Sequence, residues 1–213
     1  MSRVLMVLGL IAAFSAPAFA EEEREMGFYL GGKIGPSAVL VLGEDTDNLD
    51  AAPGMAMGVM FKVTLLEYLA LQGELLYEMK GFSFDQAVPL IGDLHVRQYL
   101  HYLTLPIIAK GHFNIEPVSI EPYAGLALSI LVAAEGVATS GNQEQSEGNT
   151  GDYNAVDLGV VFGGEAWFEV VDRIYLTGDI RFNFGIIDII DGPNDNGVYN
   201  CAIQFLLGAG YRF

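Results

Sequence analysis

Residues 173–187, RIYLTGDIRFNFGII, alternate between apolar and polar side chains over an unusually long stretch. The apolar parity holds Ile174, Leu176, Ile180, Phe182, Phe184 and Ile186, and the other holds Tyr175, Thr177, Asp179, Arg181 and Asn183. A period of two predicts a β-strand with two unlike faces. Strands of soluble sheets are usually about 5–6 residues long. This strand is more than twice that length and carries charges on one face. The fold must therefore place its long apolar face against an apolar environment.

The first 20 residues have the organisation of a secretory signal peptide. Arg3 precedes an uninterrupted apolar core at residues 4–14, and Ala18-Phe19-Ala20 forms a small-x-small cleavage site. A membrane anchor is the alternative, but the apolar core is shorter than the roughly 20 residues of a spanning helix. We therefore predict a signal peptide at 1–20, an acidic N-terminal segment at 21–26 and one domain at 27–213.

The composition of the exported chain leaves two possibilities for its apolar residues. Hydrophobic residues make up 52% of the sequence, and Cys201 is its single cysteine, which excludes an intramolecular disulfide. After residue 20, no uncharged apolar run approaches the length of a transmembrane helix. The chain therefore buries an unusually large core or exposes apolar surface to lipid.

Seven further stretches alternate in the same way, and two kinds of connection join them. The eight predicted strands lie near 27–39, 54–64, 68–81, 96–113, 120–135, 154–168, 173–186 and 199–213. Three short turns lie at 65–67, 114–119 and 169–172, and four longer connections begin near Leu40, Phe82, Gly136 and Ile187. Alternating short and long connections are typical of an outer-membrane barrel. We predict an all-β fold: an eight-stranded antiparallel up-and-down transmembrane β-barrel with short periplasmic turns and long extracellular loops.

The two faces of the predicted strands indicate which face meets lipid. One parity is apolar in every strand, as in Met57, Val59 and Phe61 of the second strand. The other parity collects most of the charged side chains together with many glycines. A soluble barrel such as a lipocalin would have the reverse arrangement, and unpaired strand edges are not tolerated in lipid. A closed barrel with its apolar face outward therefore follows.

The charges of the chain divide into a balanced lumen and an acidic exterior. The predicted lumen holds six bases and six acids, namely Lys33, Lys62, Lys80, Lys110, Arg181, Arg212, Glu74, Glu78, Glu121, Asp157, Glu165 and Asp179. The long connections hold twelve acids and no Lys or Arg, namely Glu44, Asp45, Asp47, Asp50, Asp85, Asp93, Glu144, Glu147, Asp152, Asp188, Asp191 and Asp195. Eight strands leave an interior that side chains can fill, so we expect an ion-paired plug; a proton or ion relay is the alternative.

Four stretches carry a resemblance to a known family. They are GFYLGGKIGPS in the first strand, LQGELLYEMKGFS in the third, YLTLPIIAKGHF in the fourth, and the terminal GYRF. Together they resemble the PorT-like, outer membrane protein β-barrel domain family over the whole mature chain. The resemblance implies the outer membrane of a Gram-negative-type bacterium, and no catalytic residues. Tyr211 and Phe213 resemble the C-terminal signal recognised by the barrel assembly machinery, a partner during biogenesis.

No catalytic, cofactor or metal constellation emerges from the sequence. His112 is at the periplasmic end; His95 and His101 lie near the loop end with Ser83, but no spacing rule supports a catalytic triad. The stretches GEDTDNLD and DGPNDNG do not match an EF-hand loop. Negative charge disfavours nucleic acid. We expect no enzymatic activity, no metal and no cofactor, and we expect outer-membrane lipid as a partner. The loop carboxylates either attract divalent cations or basic partners, or only keep the loops solvated.

The predicted function is that of a non-enzymatic integral barrel serving envelope structure, surface interaction or a secretion-associated role. A small-solute channel is the first alternative, and a lipid-modifying enzyme is the second.

Overall fold

A computed structural model describes residues 26–43, 50–88, 92–140, 143–189 and 197–213. The strands are β1 Gly27–Leu42, β2 Asp50–Leu66, β3 Leu69–Val88, β4 Gly92–Gly111, β5 Phe113–Ile115, β6 Val118–Ser140, β7 Gln143–Gly148, β8 Val156–Val171, β9 Ile174–Gly185 and β10 Tyr199–Arg212. One 3-10 turn lies at Thr150–Asp152. The described part of the chain contains no helix that is long and apolar enough to cross a membrane.

The strands close into a ring in which every neighbour is antiparallel. Pairing runs in chain order from β1 to β4, continues through β6, β8, β9 and β10, and returns to β1. β5 continues the line of β4 along β6 after a break at His112. β7 forms a hairpin with the loop end of β6, beyond the part that pairs with β8. The ten segments therefore build a closed eight-stranded barrel, as predicted.

The alternation in the sequence sorts side chains between the outer wall and the lumen. Leu207 is 72% exposed and Ile180 is 50% exposed on the outer wall, whereas the neighbouring Asp179 is 3% exposed. Because the pleat sends successive side chains to opposite faces, one parity along all strands forms the apolar wall. The predicted lipid-facing parity is confirmed.

The turn end of the barrel matches the prediction, and the loop end differs from it. Two-residue turns lie at 67–68, 116–117 and 172–173, within or beside the predicted turns. The connections expected from Phe82 and Gly136 are instead largely strand, because β3 runs to Val88 and β6 to Ser140. The outward positions of these extensions are no longer apolar, as at Ser83 and Thr139, so the pattern that indicates a strand in lipid ends before the strands do.

Glycines allow some strands to approach closely. A Cβ at Gly163 would overlap the carbonyl oxygen of Ile180 on the paired strand and would approach the Tyr123 hydroxyl. At the next residue, Gly164, a Cβ would meet nothing within 4 Å. Gly163 faces the packed lumen and Gly164 faces outward, so two adjacent glycines have different structural roles.

Candidate functional site

The barrel interior contains most of the charged side chains that the sequence places there. Eleven of the twelve are buried, each 5% exposed or less: Lys33, Lys62, Glu74, Glu78, Lys80, Lys110, Glu121, Asp157, Glu165, Asp179 and Arg181. Arg212 differs from the rest. It is half-buried at the turn end of the lumen, with its guanidinium carbon 6.0 Å from the centre of the Tyr29 ring, because it is the last residue of β10 and reaches the periplasmic mouth.

Arg181 and Glu74 form the centre of the lumen. The guanidinium donates two parallel hydrogen bonds across the barrel, from Nη1 to Glu74 Oε2 at 2.6 Å and from Nη2 to Glu74 Oε1 at 2.8 Å. Nη2 also donates to Asp179 Oδ2 at 2.9 Å, and Nε donates to the Tyr123 hydroxyl at 3.0 Å. That hydroxyl in turn donates to Asp179 Oδ1 at 2.6 Å. A bidentate arginine–carboxylate pair is geometrically specific, so this group fixes β3 and β9 relative to each other.

Lys33 connects β1 to three strands with which it does not pair in the sheet. Its Nζ lies 2.8 Å from Glu165 Oε1, 3.0 Å from Asp179 Oδ2 and 3.2 Å from Glu74 Oε1. Glu165 also pairs with Lys110. The ammonium group can donate three hydrogen bonds, and three carboxylates surround it. Lys33 therefore joins the central group to the charges nearer the periplasm.

The periplasmic part of the lumen is organised around Glu121. Lys62 Nζ lies 2.7 Å from Glu121 Oε1, and Lys110 Nζ lies 3.1 Å from Glu121 Oε2. His112 Nδ1 is 2.8 Å from Glu121 Oε1. Lys62 Nζ also stands 3.4 Å from the centre of the Trp167 ring, close enough for a cation–π interaction. His112 thus belongs to the lumen network, although the sequence did not predict it there.

The loop-side part of the charged lumen is built around Glu78. Gln204 Nε2 donates to Glu78 Oε1 at 2.7 Å, and Thr104 Oγ1 donates to Glu78 Oε2 at 2.8 Å. Lys80 Nζ lies 3.4 Å from Glu78 Oε2 and 3.8 Å from Asp157 Oδ2. These contacts connect β10, β4 and β8 to β3 across the interior.

The buried network carries little net charge. Its five bases and six acids sum to a formal charge of −1, and His112 lies beside one of the acids. An unpaired ion in such surroundings would cost several kcal/mol, which explains why nearly every charge has an oppositely charged neighbour within 4 Å.

Above the charges, the lumen becomes apolar. Val41, Leu100, Leu131, Ala134, Ile189 and Val198 form a buried cluster with Tyr102, which we call the outer plug, and Phe82 and Tyr153 pack against it. Ile189, from the connection after β9, is 1% exposed. Burial, together with the neighbouring Asp152 carboxylate, raises the pKa of Tyr153 to about 12. The outer plug closes the barrel on the loop side, and no sequence pattern indicated it, since Leu100 and Leu131 also suit a lipid-facing strand.

Three aromatic rings lie at the periplasmic mouth of the lumen. The ring centres of Tyr29, Trp167 and Tyr175 are 5.4 to 5.8 Å apart in each pair. A cavity of about 510 Å³ lies beside them, lined in part by His112, Glu169 and Arg212. Trp167 itself is 2% exposed, so the rings cover the charged network from below.

The C-terminal aromatics lie on the outer wall. Tyr211 is 43% exposed and Phe213 is 65% exposed, and their ring centres are 5.3 Å apart. The backbone N–H of Phe213 donates to the carbonyl of Phe28 at 3.0 Å. The chain end is therefore attached to β1 beside the strand seam between β1 and β10.

The loop-side histidines do not form a catalytic triad with Ser83. Ser83 stands in register with Arg97, His95 accepts a hydrogen bond from Arg97, and His101 Nδ1 lies 2.6 Å from the Tyr77 hydroxyl. Among the described residues, no three His, Cys, Asp or Glu side chains are grouped to hold a metal ion. Of the acids expected to attract cations, Glu44, Asp45, Asp47, Asp191 and Asp195 lie outside the described residues.

Solved structures of outer membrane proteins are similar to this chain. A major outer membrane protein of Thermus thermophilus is 14% identical, with 89% of this chain and all of that chain covered and a TM-score of 0.53. Neisserial surface protein A is 15% identical, over 87% of this chain and 97% of that one, with a TM-score of 0.47. Ail of Yersinia pestis, crystallised with a heparin analogue, is 16% identical over 87% of this chain and 99% of that one, with a TM-score of 0.44. No curated protein sequence matches the chain.

A family model, described as the outer membrane protein beta-barrel domain, matches residues 17–191. The match covers most of the chain, and it agrees with the closed eight-stranded barrel and its apolar outer wall. This chain belongs to the outer membrane protein beta-barrel domain family, whose place is the outer membrane of Gram-negative bacteria.

Proposed function

We propose that this protein is a non-enzymatic barrel whose lumen is sealed, so that its function lies at its surfaces rather than in transport through its centre. It serves envelope structure, surface interaction or a secretion-associated process. The narrower resemblance to PorT-like barrels rests on the sequence stretches of β1, β3, β4 and the C-terminus, and it forms part of this proposal.

The observation that supports the proposal most strongly is the set of contacts across the lumen. Arg181 on β9 reaches Glu74 on β3 over 107 residues of sequence, and Gln204 on β10 reaches Glu78 on β3 over 126 residues. Lys62 on β2 reaches Glu121 on β6. An eight-stranded barrel has an interior only wide enough for side chains, and here those side chains bond to one another from opposite walls.

Two further layers support a sealed lumen. The outer plug lies on the loop side of the charges, and the aromatic rings of Tyr29, Trp167 and Tyr175 lie on the periplasmic side. A hydrated ion passing through would have to separate paired charges and then enter an apolar layer, and desolvation makes both steps unfavourable.

Planar-bilayer recording tests this proposal. The purified barrel should give a flat current trace, whereas stable conductance steps would favour the small-solute channel. A variant with Arg181→Ala and Tyr102→Ala removes two of the largest buried side chains, and conductance in this variant but not in the wild type would show that these side chains block the lumen. Incubation with radiolabelled outer-membrane lipid addresses the enzymatic alternative, and turnover that His101→Phe abolishes would contradict a non-enzymatic role.

A further inference from the structure

The excess negative charge of the buried network lies in one part of the lumen. In the centre and the periplasmic part, four bases meet four acids, namely Lys33, Lys62, Lys110, Arg181, Glu74, Glu121, Glu165 and Asp179. The loop-side part holds two acids, Glu78 and Asp157, which share one base, Lys80. The formal charge of −1 therefore belongs to the loop-side part.

Asp157 is the less well compensated of these two acids. Both oxygens of Glu78 accept a hydrogen bond from a side chain, at 2.7 and 2.8 Å. The contacts of Asp157 Oδ2 are longer, at 3.8 Å to Lys80 Nζ and 3.4 Å to Asn200 Nδ2. Asp157 Oδ1 is buried and has no hydrogen-bond partner among the described residues. A carboxylate oxygen in that position is costly unless another group compensates its charge.

Asn200 contributes a second oxygen of the same kind. This side chain is 2% exposed, and its Nδ2 is directed toward Asp157 Oδ2 and toward the Tyr102 hydroxyl, at 3.4 and 3.3 Å. Its Oδ1 has no hydrogen-bond partner in the described part of the chain. Two neighbouring side chains therefore each present one uncompensated acceptor.

Gly185 allows a backbone oxygen to approach the same place. A Cβ at Gly185 would lie 3.1 Å from Asp157 Oδ1 and 3.1 Å from the carbonyl oxygen of Asn200. Asp157 is the second residue of β8, Gly185 is the last of β9, and Asn200 is the second of β10. The loop-side ends of three consecutive strands thus bring carboxylate, amide and carbonyl oxygens together beneath the outer plug.

We propose that Asp157 Oδ1, Asn200 Oδ1 and the carbonyl oxygen of Asn200 bind a monovalent alkali cation such as Na⁺. Carboxylate and carbonyl oxygens are the ligands of hard cations. One positive charge makes the buried network neutral, whereas a divalent ion would leave it positive. The Lys80 ammonium opposes a second cation, but it lies on the Oδ2 side of Asp157 and is shared with Glu78.

The dependence of stability on Na⁺ tests the proposal. The full barrel is refolded into phosphatidylcholine vesicles in NaCl or in N-methylglucamine chloride at equal ionic strength, and Trp167 fluorescence follows its unfolding by urea. Because the ion binds only the folded state, the unfolding constant of the wild type should fall about tenfold for each tenfold increase in Na⁺ above saturation. Asp157→Asn should abolish this dependence. Asp152→Asn removes the same charge from an exposed turn and should retain it.

Further arms separate the ion from other ways of compensating Asp157. Asn200→Ala keeps the carboxylate but removes one ligand oxygen, so it should need more Na⁺ for the same stabilisation; a response equal to that of the wild type would refute the site. Stabilisation by millimolar Ca²⁺ but not by Na⁺ would refute the single charge. A wild-type barrel indifferent to Na⁺ would overturn the proposal in favour of a bound water or a proton, and a pH dependence lost in Asp157→Asn would identify the proton.

Discussion

Removing Arg181 and Glu74 together should cost less than the sum of the two single substitutions. Glu74→Gln keeps nearly the same volume but leaves the Arg181 guanidinium with one fewer carboxylate; Arg181→Gln leaves the Glu74 carboxylate with Lys33 as its remaining cation. Both side chains are 1% exposed or less, so water cannot replace the lost partner.

The size of the loss in stability follows from the kind of contact that is broken. Breaking a buried ion pair by removing one partner typically costs about 3–5 kcal/mol, and the bidentate contacts of 2.6 and 2.8 Å place this pair within that class. In the double variant neither charge remains, so its cost should fall below the sum of the single costs by about 1–3 kcal/mol, the size of coupling seen between contacting residues.

The protein provides its own probe for this measurement. Trp167 is the single tryptophan and lies buried in the lumen, so its fluorescence can follow urea unfolding in lipid vesicles. As a control, Arg181→Gln combined with Arg97→Gln should be additive within about 0.5 kcal/mol, because Arg97 lies on the outer wall. If the Glu74 and Arg181 substitutions were also additive, the two side chains would not be paired in the membrane.

Three other expectations concern the wall, the glycines and the topology. Ile180→Arg places a charge against lipid and should destabilise the barrel by about 2–4 kcal/mol in the same unfolding assay, and a neutral result would contradict the parity of the strand. Gly163→Ala should destabilise by about 1–3 kcal/mol through overpacking, whereas Gly164→Ala should be close to neutral; equal effects would mean that the close strand contact is absent. A cysteine at Gly151 should react with an impermeant maleimide on intact cells, and one at Asp172 should react only after permeabilisation, because these positions lie at opposite ends of the barrel; the reverse pattern would invert the orientation.

The residues inside the membrane could be assigned from the sequence because lipid and lumen impose opposite demands on adjacent positions. Ile180 and Asp179 are neighbours in sequence, yet they meet different surroundings, and the alternation shows this directly. The extensions of β3 and β6 beyond Phe82 and Gly136 could not be assigned in this way. Their outward positions are no longer apolar, and the strands continue through the backbone pairing of β3 with β4 and of β6 with β7.

The individual contacts within the lumen could not be predicted from the sequence either. Lys33 meets Asp179, 146 residues away, because the stagger of the strands around the barrel brings those positions to one height. The balance of charge in the lumen indicates that pairing occurs, but not which partners meet. For the same reason His112 could not be assigned to Glu121, and Arg212 could not be distinguished from the buried bases.

The most direct test of the filled lumen is solid-state nuclear magnetic resonance on the barrel in lipid bilayers, with labels on the arginine guanidinium nitrogens and the glutamate carboxyl carbons. The N–O distances of 2.6 and 2.8 Å between Arg181 and Glu74 predict a strong nitrogen–carbon dipolar coupling, which should disappear in Glu74→Gln. A spectrum of the wild-type barrel without that coupling would contradict the ion-paired lumen.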